Sequence, residues 1–65
     1  MSDKQQKISV VTSDNRKHDL VVVEVRPNAW KTRQVVRGKY LEGTGETAAA
    51  AVENWTAKYE STFSR

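Results

Sequence analysis

Four basic residues of one parity stand close together in the middle of the chain: Lys31, Arg33, Arg37 and Lys39. Alternate side chains point to the same face of a β-strand, so an extended segment would carry these cations in one row. Such a row on a sheet face can neutralise phosphates along a nucleic-acid backbone or enter a major groove. Charges on an exposed strand also block aggregation, and this simpler explanation stays open for each residue.

Two neighbouring residues extend the candidate binding surface. Arg26 shares the face of the basic row if the alternating valines of the preceding strand point into the core. Trp30 either forms the edge of the core or serves as an exposed anchor for a base or a protein, and the core edge is the simpler of the two. Together with the basic row, the candidate residues for binding nucleic acid or a partner are Arg26, Trp30, Lys31, Arg33, Arg37 and Lys39.

The other motifs do not assemble a catalytic, metal or cofactor site. Residues 13–15 (SDN) fit a hairpin turn, and residues 43–45 (GTG) fit a turn into a helix without the Lys-Ser/Thr pair of a phosphate-binding loop. His18 has no partnered nucleophile in the sequence. The chain contains no cysteine and one histidine, which argues against thiolate and histidine-rich metal sites. We therefore expect a protein that is not an enzyme and needs no metal or cofactor.

Composition limits the classes of partner. The 65 residues suffice for one small domain, and the formal net charge of +3 suits nucleic acid or an acidic protein surface as the partner. No apolar run approaches the ~20 residues that span a membrane. The polar start of the chain lacks the apolar segment of a signal peptide. These features predict a cytoplasmic protein without a membrane partner.

Three β-strands are predicted from runs of β-branched residues at positions 8–12, 18–26 and 30–40. The turn-forming residues 13–17 separate the first two strands, and Pro27 ends the second because proline cannot donate to a β-ladder. Gly38 lies inside the third run, where it indicates a bulge or a sharp bend that could shift the parity of Lys39. Residues 1–6 are expected to be flexible.

One long helix is predicted over residues 44–59, and the rest of the fold depends on it. Apolar residues recur there in steps of three and four, which places them on one stripe: Ala48, Ala51, Val52, Trp55 and Tyr59. Thr44 or Thr47 can cap the first turn. Trp55 is expected at the centre of the contact between the helix and the sheet.

The predicted architecture is an α+β domain of order β-β-β-α, a three-stranded antiparallel sheet with the helix across one face. The predicted core consists of Ile8, Val10, Val21, Val23, Val25, Val36, Tyr40, Leu41, Ala48, Val52, Trp55 and Tyr59. A core of this size only just offsets the ordering entropy of the chain, so a homodimer that covers more apolar surface is plausible.

Residues 18–59 resemble the second half of a double-stranded-RNA-binding domain. In that family too, a histidine-bearing turn precedes the second strand, and a glycine-rich turn opens an alanine-rich helix, as in residues 38–55 (GKYLEGTGETAAAAVENW). The family also has a first helix, and it places lysines where this chain has Glu46, Thr47 and Ala48. The order of elements is similar to that of phage integrase arm-binding domains, which read DNA with the face of a three-stranded sheet.

These resemblances imply a small binding protein whose basic sheet face contacts nucleic acid. The alternative is a regulator or inhibitor that binds a protein, similar to a phage accessory protein. It would use an exposed strand edge, or it would use the same cationic face on an acidic partner.

Overall fold

The computed structural model describes residues 4–63 as four β-strands followed by one α-helix. The elements are β1 (Gln5–Val11), β2 (Lys17–Arg26), β3 (Ala29–Val36), β4 (Lys39–Gly45) and α1 (Ala48–Phe63). The strands form one antiparallel sheet in the order β1-β2-β3-β4. The helix packs on one face and contacts β4 most extensively. The predicted α+β class and the helix-on-sheet arrangement are confirmed.

The prediction of three strands is wrong because residues 30–40 form a hairpin rather than one strand. Arg37 and Gly38 make its two-residue turn with φ values of 51° and 79°. Positive φ at both central residues is the type I′ pattern, whose twist matches the flanking strands. Val36 therefore pairs with Lys39 across the turn. Of the two predicted alternatives at Gly38, the sharp bend is confirmed and the bulge is wrong.

The other two connections are turns, as the sequence predicts. In the β1–β2 loop the backbone N–H of Asn15 donates to the carbonyl of Thr12 at 2.8 Å, and Asn15 has φ 66°. Pro27 and Asn28 join β2 to β3, with Asn28 at φ 62°. Asparagine tolerates this left-handed conformation better than most residues.

The inner face of β2 is opposite to the one predicted. Leu20 and Val22 are fully buried, whereas Val21 and Val25 are 45% and 56% exposed. Leu20 supplies the large apolar group that the helix covers, and alternation then turns the odd-numbered valines outward. The run of valines is apolar on both faces, so its pattern did not determine which side faces the core.

The helix begins four residues later than predicted and extends further. Residues 44 and 45 still belong to β4, and Thr47 caps the helix by accepting from the backbone N–H of Ala50 at 3.1 Å. At the other end, Phe63 is half-buried against the core. The predicted apolar stripe is confirmed: the buried residues of α1 are Ala48, Ala51, Val52, Trp55 and Tyr59.

The core lies between this stripe and the inner face of the sheet. Leu20, Val22 and Leu41 are its buried strand residues, and Trp55 is fully buried among them. The prediction that Trp55 is central to the contact is thus confirmed, although its indole Nε1 has no hydrogen-bond partner among residues 4–63. Tyr40 is 58% exposed, contrary to prediction, because the turn after Val36 reverses the parity of β4.

Close approach of the helix to β4 requires a residue without a side chain at position 43. A Cβ atom on Gly43 would lie 2.5 Å from the carbonyl oxygen of Ala51 and 2.5 Å from the backbone nitrogen of Trp55. Both neighbours are helix backbone, which cannot move aside as a side chain can. Gly43 therefore sets the distance between α1 and the sheet.

Of residues 1–6, which are predicted to be flexible, residues 1–3 lie outside the described residues. Gln5 and Gln6 belong to β1, where they pair with Val23 and Val22.

Candidate binding surface

The face of the sheet that the helix leaves uncovered is the open face. Strand register places five cationic side chains on it, namely Lys7, Lys17, Arg26, Lys31 and Arg33. The carboxylates that the same register places there are Asp19 and Glu42. Cations therefore outnumber carboxylates on this face.

A shallow groove of about 380 Å³ runs along the open face between β2 and β3. It is lined by Val21, Val23, Val25, Lys31 and Arg33. Buried Thr32 donates its hydroxyl to the carbonyl of Val21 at 3.0 Å, which holds β3 against β2. One wall is thus aliphatic and the other cationic.

Lys31 and Arg33 differ in whether a carboxylate pairs with their charge. The ammonium of Lys31 lies 3.1 Å from a carboxylate oxygen of Glu42, and this hydrogen bond lowers the pKa of Glu42. Within residues 4–63 Arg33 makes no ion pair. The guanidinium of Arg33 is therefore the available charge beside the valines.

Arg37 does not belong to the open face, contrary to prediction. Its guanidinium lies 3.4 Å from Asp14 and 4.8 Å from the centre of the Phe63 ring. Phe63 belongs to the helix, and the turn conformation directs Arg37 toward that side of the sheet. The cation is held by an ion pair and a cation–π contact.

Lys39 is also off the predicted row. It pairs with Val36, which packs against the core on the helix side, so strand pairing places Lys39 on that side as well. The physical reason is the two-residue turn, which reverses the chain between Val36 and Lys39. Of the predicted row, Lys31 and Arg33 share the open face.

Arg26 and Trp30 complete the predicted set. The premise that placed Arg26 on the open face fails, because the valines of β2 point outward. The register irregularity after Glu24 nevertheless pairs Arg26 with Ala29, which has the parity of Lys31 on β3, so strand pairing places Arg26 on the open face for a different reason. Trp30 is half-buried and packs against the core, which confirms its interpretation as a core-edge residue.

A second polar cluster surrounds Asp14, and the sequence interpretation missed it. Asp14 accepts hydrogen bonds from the hydroxyls of Thr12 and Tyr59, the latter at 2.6 Å, and it pairs with Arg37. The bond from Thr12, and next that from Tyr59, lowers the pKa of Asp14 from 3.8 to about 2. The signal in the sequence was local: an Asp two residues after a Thr in a turn is a common side-chain hydrogen-bond pattern.

The Asp14 cluster joins the tips of the β1–β2 and β3–β4 hairpins to the helix. The side chain of Ser13 and its backbone N–H donate to the carboxylate of Glu60, the N–H at 2.9 Å. The ring of His18 packs on Trp55 and Tyr59, with centroids 5.3 and 4.7 Å away. These contacts position the helix.

Within residues 4–63, no three metal-ligating side chains lie together. The helix in that range lacks the length and the apolar character that a membrane crossing requires. Comparisons with protein-family models, with curated proteins and with solved structures found no match to the chain.

Proposed function

We propose that this chain is a non-enzymatic binding protein that docks another protein on its open face and regulates or inhibits it. The observation that carries the proposal is the groove, in which three outward valines of β2 lie beside Lys31 and Arg33. A contiguous apolar patch edged by charge is typical of a protein-binding site.

Nucleic acid is the second candidate, and the excess of cations on the open face favours it. The valine wall argues against it, because aliphatic groups form no hydrogen bonds with phosphate. Neutralisation of Lys31 by Glu42 and removal of Arg37 and Lys39 from the face also reduce the charge that phosphates would meet. A protein surface can supply apolar groups to the valine wall and carboxylates to the cationic wall.

The test compares the parent with Val23→Asp, which places a charge in the groove. Ala57→Asp is the matched control, because Ala57 is exposed on the helix, on the other side of the sheet. Each tagged protein is used to capture partners from the source cell, and the captured protein is then purified and titrated. We expect binding that Val23→Asp abolishes and Ala57→Asp preserves.

Two outcomes contradict this function. Binding of a partner with equal affinity to all three proteins would place the site elsewhere. Salt-dependent binding of duplex DNA or RNA that Val23→Asp leaves intact and Arg33→Gln weakens would favour nucleic acid, with the slope of log affinity against log salt falling by about 0.9 for the lost cation.

A further inference from the structure

We propose that the open face recognises an acidic segment with aliphatic side chains on its partner protein. One aliphatic group enters the valine groove, and neighbouring carboxylates bind Arg33 and Lys31. This inference rests on the proposed function, since it specifies the chemistry of the partner at the same site.

The aliphatic half of the inference comes from the shape and lining of the groove. Val21, Val23 and Val25 present only methyl groups along β2. Val21 and Val25 are about half exposed, so contact with an apolar partner removes their surface from water. A polar side chain seated there would lose hydrogen bonds to water without replacement.

The proposal that the segment is acidic follows from the cationic wall of the groove. Arg33 makes no ion pair within residues 4–63, and a guanidinium binds a carboxylate through two parallel hydrogen bonds. Lys31 stands two residues away on the same strand face, a spacing of about 7 Å. A segment with two acidic residues can therefore engage Arg33 directly and share Lys31 with Glu42.

Charge also decides between such a partner and a second copy of this chain. The open face carries five cations, and both of the carboxylates that strand register places there are engaged: Glu42 with Lys31, and Asp19 with the hydroxyl of Ser9 at 2.7 Å. In a symmetric face-to-face dimer this positive surface would meet itself. The charge of an acidic partner is complementary to the open face, whereas the open face of a second copy would repel it.

The experiment selects binders from a random-sequence peptide library displayed on phage, with the Val23→Asp protein used to remove peptides that bind elsewhere. We expect enriched peptides that combine Asp or Glu with Leu, Ile or Val. Arg33→Glu should weaken their binding at least about fivefold, through loss of one ion pair and added repulsion. A peptide whose acidic residues are changed to Lys should regain affinity for the Arg33→Glu protein, and Ala57→Asp should bind as the parent does.

The failure of this inference is distinguishable from failure of the proposed function. If enriched peptides are neutral or basic but depend on Val23, the open face binds proteins and the acidic specificity is wrong. If no peptide depends on Val23, both proposals are wrong. Sedimentation of the parent and of Val23→Asp tests whether a second copy of the chain occupies the open face. If the parent is a dimer and Val23→Asp is a monomer, the open face binds a second copy and the inference is overturned.

Discussion

Asp14 concentrates in one side chain the interactions that join three parts of the chain. It accepts from Thr12 in its own hairpin loop, from Tyr59 on the helix, and pairs with Arg37 in the β3–β4 turn. Turn propensity explains why an aspartate stands at this position, but the partners are 23 and 45 residues away in sequence. Local patterns carry no information about such pairs, whereas the buried stripe around Trp55 follows directly from helical periodicity.

We predict that Asp14 makes the free energy of unfolding decrease as the pH falls below about 4. Its pKa in the folded protein is about 2, below its ordinary value of 3.8, so its contribution is complete above about pH 4 and is lost as the pH falls toward 2. Asp14→Asn should lower the urea midpoint at pH 6, and its difference from the parent should narrow between about pH 4 and pH 2. Asp19→Asn, on the open face, controls for removal of a carboxylate. A difference that stays constant down to pH 2 would show that Asp14 is not the group responsible.

At the scale of elements, sequence patterns predicted the helix and its buried face better than the strands. The valines of β2 are apolar on both faces, so their alternation could not tell Val22 from Val23. Residues 30–40 fit one extended strand because an Arg-Gly turn is a weaker hairpin signal than Asn-Gly or Asp-Gly. The position of that turn decides the face of every residue after it. Lys31 and Arg33 precede the turn and kept their predicted face, whereas Lys39 did not.

We predict that alanine at Gly38 and alanine at Gly43, both in the β3–β4 hairpin, destabilise the protein in different ways. Gly43→Ala forces a methyl group against helix backbone and should cost about 1–3 kcal/mol of unfolding free energy, with a changed near-ultraviolet signal from Trp55. Gly38→Ala meets open space but keeps a positive φ, so it should cost about 1–2 kcal/mol and leave that signal unchanged. Urea unfolding and circular dichroism measure both effects. A Gly43→Ala protein with the parent's stability and spectrum would contradict the close packing of α1 on β4.

Considered as a whole, the molecule separates its basic residues into two groups with different roles. Arg33 projects from the open face beside the groove, whereas Arg37 joins a hairpin turn to the helix side. The sequence placed both in one row, and only their positions relative to the turn distinguish them. The charge of Arg37 therefore serves the structure, whereas we propose that the charge of Arg33 serves partner binding.

We predict that single substitutions of Arg33 and Arg37 have different effects on stability and on peptide binding. Arg33→Gln should change the unfolding free energy by under about 0.5 kcal/mol and weaken binding of the selected peptides. Arg37→Gln should cost about 1 kcal/mol, since it removes the ion pair with Asp14 and the contact with Phe63, and should leave peptide affinity unchanged. Urea unfolding and peptide titration of both proteins provide the measurements. If the two variants lose peptide affinity equally, Arg33 and Arg37 act together in binding, as the sequence alone predicts, and the separation is wrong.

The two apolar faces of β2 have a consequence for folding. The strands pair with their chain neighbours, so the hairpins close over short loops, whereas the bond from Tyr59 to Asp14 closes over 45 residues. During synthesis the sheet leaves the ribosome before the helix that covers it. Until α1 docks, Leu20 and Val22 on one face compete with Val21 and Val23 on the other as the surface to be covered. Docking against Gly43 ends that competition, so the helix decides which valines become core and which remain exposed on the open face.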